Sequence, residues 1–162
     1  MSALGLAALS VAQADLAAGI RGGQPGRFQS PDVALRLAAV GIDYPAPWCA
    51  AEMFHCFAQA TIGQDANPCP RTPSAVHLFK NAPDSCKRIL PAPGDVFVLE
   101  HRDGWSGHCG IVEAVSPDGQ AITTIEGDTN AQGSATGDAM GRHTWTPADG
   151  KRGKLLGYLE LS

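Results

Sequence analysis

Cys49 follows Pro45, Pro47 and Trp48 and opens a stretch in which Cys49, Met53, Cys56, Phe57 and Ala60 recur at helical spacing up to Gly63. A thiol at a helix start faces the positive end of the helix dipole and unpaired backbone N–H groups, which favour thiolate. The same N–H groups can hold an oxyanion. The alternative is a cysteine merely buried beside a tryptophan, and a base has to decide between the two. Five histidines are available. His55 lies six residues further along the same helix, about 9 Å of rise and about 240° around the axis, and is out of reach. His77, His101 and His143 sit in segments without a supporting pattern and read as surface residues. His108 opens the apolar run His108-Cys109-Gly110-Ile111-Val112 just after Gly107, as suits a loop tip over a cleft. A lone strand histidine is more often structural than catalytic.

A hairpin changes that balance. Ser116-Pro117-Asp118-Gly119 is a strong turn signal between two apolar runs. A turn centred on Pro117-Asp118-Gly119 sets Val115 opposite Ala121. Asp128 then faces His108, and Glu126 lies diagonal to it on the same face. A carboxylate there would fix the tautomer of the histidine and stabilise its imidazolium, completing a nucleophile, base and orienting acid. The register alone does not choose between Glu126 and Asp128. Period-2 alternation turns Cys109 to the opposite face from His108, so it is not expected to compete with His108 for the nucleophile.

The elements that must position these residues divide into a helical half and a strand half, an α+β arrangement. A first helix runs from about Ala3 and is expected to end near Gly22-Gly23; a second spans Asp32 to Val40, with Ser30 as cap and Gly41 as stop. After the Cys49 helix, Thr72 to Lys80 reads as a short helix and Asn81 to Gly94 as an irregular connection. Strands are expected at Val96 to Glu100, His108 to Val115, Ala121 to Glu126 and Leu155 to Leu161, with a polar, glycine-rich stretch before the last. With 162 residues and 44% hydrophobic content, one domain over 1–162 is expected. The net charge of −4, without a Lys or Arg run, lacks the footprint of a nucleic-acid binder. Ala3 to Ile20 is interrupted by Gln13 and Asp15 and is too polar to span a bilayer. Leu4 to Val11 with Ala12-Gln13-Ala14 has some look of a signal peptide, but no basic residue precedes it, and an amphipathic helix is the favoured reading. The cysteine count of five is odd and leaves at least one thiol unpaired.

Taken in order, Pro47-Trp48-Cys49-Ala50-Ala51, Pro93-Gly94-Asp95, Gly107-His108-Cys109-Gly110-Ile111-Val112 and Thr124-Ile125-Glu126-Gly127-Asp128-Thr129-Asn130 resemble the CHAP family. These are cysteine- and histidine-dependent amidohydrolases and peptidases of the papain-like NlpC/P60 group. The resemblance implies N-terminal helices packed on an antiparallel sheet of six or so strands, with peptidoglycan stem peptides as substrate. It makes Cys49 the nucleophile, His108 the base and Glu126 the orienting acid, with Trp48, Asp128 and Asn130 in support. Many relatives carry asparagine where this chain has Asp128, and an apolar residue where it has Glu52. Paired cysteines in phage-type members imply a bridge between Cys69 and Cys86, with two reduced thiols as the alternative. The spacing of these cysteines does not suit zinc. No aspartate-rich calcium loop is seen near Cys49, so neither a metal nor a cofactor is expected.

The resulting expectation is a monomeric peptidoglycan hydrolase, amidase or endopeptidase, working through a cysteine thioester. Its setting would be a phage or prophage endolysin, made in the host cytoplasm and acting on the wall after release. The alternatives are an antibacterial effector with the same catalytic residues and a non-catalytic peptidoglycan-binding module.

Overall fold

The computed structural model describes residues 1–23, 27–28, 30–64, 66–130 and 137–162. Among the described residues, helices α1 (Ala3–Ala18), α2 (Pro31–Ala39), α3 (Cys49–Ala60) and α4 (Ala75–Asn81) precede most of the sheet. The strands are β1 (Lys87–Arg88), β2 (Val96–Glu100), β3 (Gly107–Val115), β4 (Ile122–Thr129), β5 (Ala139–Trp145) and β6 (Lys154–Leu159). They form one six-stranded antiparallel sheet in the order β1-β6-β2-β3-β4-β5. This is the α+β, papain-like arrangement that the motifs imply. No helix is long and apolar enough to cross a membrane among the described residues.

Local signals account for most element ends. Ser2, Ser30 and Ser74 each accept a hydrogen bond from a first-turn N–H of α1, α2 and α4. The first helix stops earlier than the Gly22-Gly23 pair suggests. Gly19 adopts φ +70° after Ala18, and its N–H bonds back to the last turn. The polar stretch before the last strand is also corrected, because Ala139–Trp145 pairs with β4 as an edge strand. An edge strand buries one face only, so Met140 alone of these seven residues is buried and the apolar signal is weak. The two-residue β1 is too short to carry a sequence pattern.

The two faces of the sheet have different partners. Val96, Val98, Cys109, Ile111 and Ile125 pack with buried residues of α1, α2 and α3. Phe97, Leu99, Val112, Ile122 and Tyr158 form a smaller cluster on the other face. The β5–β6 connection returns across that second face, because β6 pairs with β2 rather than with β5. Helix α3 sits directly against β4. A Cβ at Gly127 would lie 2.7 Å from the Trp48 ring and 3.0 Å from the Glu52 Cβ, so only glycine admits the helix start so close to the strand.

Candidate active site

Cys49 is the first residue of α3, and Trp48 is its N-cap, with a backbone of φ −126° and ψ 10° and no side-chain capping bond. The N–H groups of the first turn are therefore free of any capping side chain, as the sequence position implies. Cys49, itself only 5% exposed, lines a groove of about 500 Å³ whose walls include Tyr44, His77, Lys80, His101 and Trp105. Tyr44 and Trp105 are 60% and 74% exposed, so the rim is aromatic and open to solvent.

The hairpin brings the base and the acid together almost as the register predicts. At the turn Val115 pairs with Ile122, one residue away from the expected Ala121. A bulge between Val112 and Ala114 then absorbs the extra residue. Ile111 thus meets Ile125, the register expected from the turn prediction. His108 and Glu126 are both completely buried, and Nε2 of His108 lies 2.8 Å from Oε2 of Glu126. The Cys49 thiol stands against the same imidazole. With Nε2 engaged by Glu126, Nδ1 is buried without a hydrogen-bond partner and is the nitrogen left for the thiol.

Glu126 has two partners that the sequence reading missed. Arg152 donates to both carboxylate oxygens at 2.7 Å, and Thr124 Oγ1 donates to Oε1 at 2.6 Å. The Arg152 guanidinium also lies 5.0 Å from the centre of the Trp145 ring, and Trp145 packs edge-on against Phe97. No local pattern marks Arg152, because it reaches Glu126 only by way of the returning β5–β6 connection. A Cβ at Gly110 would come within 2.7 Å of the Glu126 Cγ, so the motif glycine is the space through which the carboxylate reaches His108.

The electrostatics follow from these contacts. Burial alone would push the Glu126 carboxyl up, but the Arg152 and then the His108 hydrogen bonds hold it well below the usual range. Burial alone would lower His108; the neighbouring Cys49 and the Glu126 hydrogen bond outweigh that and raise it to about 10. Cys49 is held well below an ordinary thiol, first by the Cys109 thiol and then, against burial, by His108. Both shifts favour a thiolate and imidazolium pair.

Cys109 requires a correction in part. It does lie on the opposite face from His108, within the helix-side core. That is also the face on which α3 packs, so its thiol neighbours Cys49 and its own ionisation is pushed well up by Cys49 and by burial. The raised thiol stays protonated and is not a rival nucleophile. The expected Cys69–Cys86 bridge is not formed: both are free thiols, Cys69 buried and Cys86 half-buried. His77 is exposed as expected, whereas His143 is half-buried and shares a 3.1 Å hydrogen bond with Thr129. Asn130 follows the end of β4 and is half-buried.

Asp128 is completely buried with φ +58°, a left-handed conformation costing on the order of 1 kcal/mol for a non-glycine residue. It sits in a bulge between Glu126 and Thr129 where the pairing with β5 shifts. The bulge turns it away from the regular alternation and toward the start of α3. The Trp48 backbone N–H approaches its carboxyl, yet neither oxygen completes a hydrogen bond.

Glu52, Asp15 and Cys56 place their donor atoms within 4.8 Å of one another, as metal ligands would be placed. Arg36 already occupies that centre, bonding Glu52 at 2.5 Å and Asp15 at 2.6 Å, with His55 3.4 Å from Asp15. The cluster is an ion network that ties α1, α2 and α3 together, which accounts for a glutamate three residues after the nucleophile.

A cysteine at a helix start, a histidine and a buried carboxylate bonded to that histidine are the groups that cysteine hydrolases of the papain-like class use. The sequence matches the CHAP domain over residues 40–128, a span that contains Cys49, His108, Glu126 and Asp128. That is more than half of the chain, and the chain belongs to the CHAP family. Membership implies peptidoglycan hydrolase activity. No curated protein matches the chain. Among solved structures, one titled "The crystal structure of Ly7917" is similar at 26% identity over 44% of this chain, with a TM-score of 0.31. The matching region spans 28% of that longer protein.

Proposed function

We propose that the chain hydrolyses an amide bond in the peptide part of peptidoglycan, as a phage or prophage endolysin, through a thioester on Cys49. The observation that carries this reading is the buried hydrogen-bonded line from Arg152 through Glu126 to His108, with Cys49 as the neighbour of that imidazole and a lining residue of an open groove. The thiolate attacks the amide carbonyl carbon. The tetrahedral oxygen takes the negative charge beside the Cys49 backbone N–H. Collapse breaks the C–N bond as imidazolium gives its proton to the departing amine, leaving the thioester. His108 then removes a proton from water, whose oxygen attacks the thioester carbonyl. The carboxylic product departs, and the thiolate and imidazolium return.

The groove supports an acidic peptide as the substrate. Among the described residues its lining contains Lys80, His77 and His101 and no carboxylate, although the chain as a whole has a net charge of −4. Stem peptides carry free carboxylates, and the exposed Tyr44 and Trp105 offer apolar walls. With overall charge opposing attraction to an anionic wall, engagement depends on this local patch. The endolysin setting rests on the resemblance to phage-type members, with synthesis in the host cytoplasm and action on the wall after release.

Purified sacculi digested with the wild type and with Cys49→Ala, followed by mass spectrometry, test the reading. Fragments with a new amine and a new carboxyl terminus are expected from the wild type alone, and their masses identify the bond. Binding to sacculi without new termini would identify a non-catalytic module and overturn the proposal.

A further inference from the structure

Among the described residues, the buried side-chain nitrogen and oxygen atoms without a hydrogen-bond partner are Trp48 Nε1, His108 Nδ1 and both carboxyl oxygens of Asp128. All belong to residues around the start of α3. Elsewhere the buried polar side chains are satisfied, as folded proteins generally require. His108 Nδ1 is accounted for by the nucleophile. Asp128 is not: it is fully buried, held in a left-handed bulge and aimed at the helix start, and it takes no part in orienting His108. A carboxylate in that position would face the thiolate and the oxyanion that forms from its attack, and would oppose both. A carboxylic acid would favour both, because it carries a donor and no charge.

We propose that Asp128 is a further catalytic residue, held as a neutral acid, whose O–H donates to the tetrahedral oxygen alongside the Cys49 backbone N–H. The role rests on the reading of Cys49 as the nucleophile. The O–H is shared with the oxyanion as it forms and is retained by Asp128 when the C–N bond breaks, so no net proton leaves the acid. The surroundings are consistent with the neutral form: burial first, then the charge on Cys49, raises the Asp128 carboxyl to about 9, against the opposing influence of His108. The other ionisable groups nearby are Glu52 on α3, whose stem lies against Gly127, and Cys109 on β3. Glu126 lies on the same strand with its partner Arg152; Asp138 and His143 come from the β5 side, and Asp15 of α1 is held by Arg36.

The test follows Cys49-dependent turnover of p-nitrophenyl acetate and of sacculi across pH 6 to 10.5, in the wild type, Asp128→Asn and Asp128→Ala. Circular dichroism checks folding, and the iodoacetamide alkylation rate of Cys49, which forms no oxyanion, reports the thiolate. Removing the donor in Asp128→Ala is expected to lower kcat by about 10²-fold at pH 7, with alkylation within about threefold of wild type. Asp128→Asn restores a donor that cannot ionise. It is expected to lose less than about tenfold, and its kcat should hold through the region near pH 9 where the wild type declines. Equal losses in Asn and Ala, a decline centred near pH 9 in Asn as in wild type, or alkylation that falls together with kcat in the folded Ala variant would each overturn the proposal; the later decline near pH 10 that His108 causes is common to both. Ester turnover with the expected Asp128 dependence, but without release from sacculi, would uphold it while refuting the peptidoglycan reading.

Discussion

Glu52 and Glu126 are both completely buried, and each is joined to an arginine, Arg36 or Arg152. Glu52 accepts from the Arg36 Nε and from the Cys56 thiol at 3.4 Å, and Arg36 is itself almost fully buried and shared with Asp15. Burial outweighs Arg36 there, so the Glu52 carboxyl is raised. Glu126 accepts four hydrogen bonds, two from Arg152 and one each from Thr124 and His108, and is lowered. The decisive difference is the neighbour beyond the carboxylate. From Glu52 the chain of contacts leads to Cys56, a buried thiol pushed well up and inert. From Glu126 it leads to His108 and on to Cys49 in an open groove. A buried carboxylate and guanidinium can equally be a strut or part of a catalytic line, and what it touches next decides which.

The largest expected effect tests that contrast directly. Glu126→Gln should lower kcat by about 10²-fold or more with the fold intact, because the imidazolium loses its stabilising charge. Glu52→Gln should leave kcat within about threefold and lower the thermal midpoint instead. Steady-state kinetics and thermal denaturation of both variants measure the two effects, and equal kinetic losses would erase the distinction.

Arg36→Met should leave Glu52 and Asp15 without their shared cation and cost about 3 kcal/mol of stability in urea unfolding, with alkylation of Cys49 unchanged. A loss below about 1 kcal/mol would mean that the helix network is replaceable. Selective labelling sharpens the comparison further. Iodoacetamide at pH 7 should modify Cys49 well before Cys56, since one thiol is lowered and lines the groove while the other is raised and buried. Peptide mapping after brief exposure reads the order.

The smallest effects are pH shifts in stability, of opposite sign in the two clusters. His108 is raised from 6.5 to about 10, so its contribution is complete below pH 6.5 and is lost as pH rises through about 10. Burial would raise Asp15, but the His55 hydrogen bond and the Arg36 charge lower it to about 2 from 3.8. Its contribution is present above 3.8 and is lost as pH falls through about 2. Thermal midpoints against pH for wild type, His108→Gln and Asp15→Asn should therefore separate at the alkaline and acid ends respectively. Separation at the wrong end in either variant contradicts the assignment.

The helix beginning at Cys49 was legible because two prolines force an extended approach and apolar residues then recur at three and four. The turn at Pro117-Asp118-Gly119 was legible for a similar local reason, and it brought Glu126 close to His108 even though the turn itself lies one residue from the expected register. The motifs supplied the choice of Glu126 over Asp128, which local spacing left open. The edge strand β5 was missed because only Met140 of its seven residues is buried, and the first helix was overrun because Gly19 gives a weaker signal than Gly22-Gly23.

What the sequence by itself determined about this protein is the set of reacting groups and their local settings: a thiol at a helix start, a histidine in a strand and a carboxylate across a hairpin. These depend on contacts between residues close along the chain, where backbone geometry leaves few choices. The tertiary structure alone decided the contacts around them. Arg152 reaches Glu126 only because β6 pairs with β2 and the connection must recross the sheet. Cys109 meets Cys49 only because α3 packs on the face to which alternation turns it. The Asp128 carboxyl points at the helix start only because a bulge breaks that alternation. Each depends on where distant segments settle as the core closes, and no local spacing carries that information.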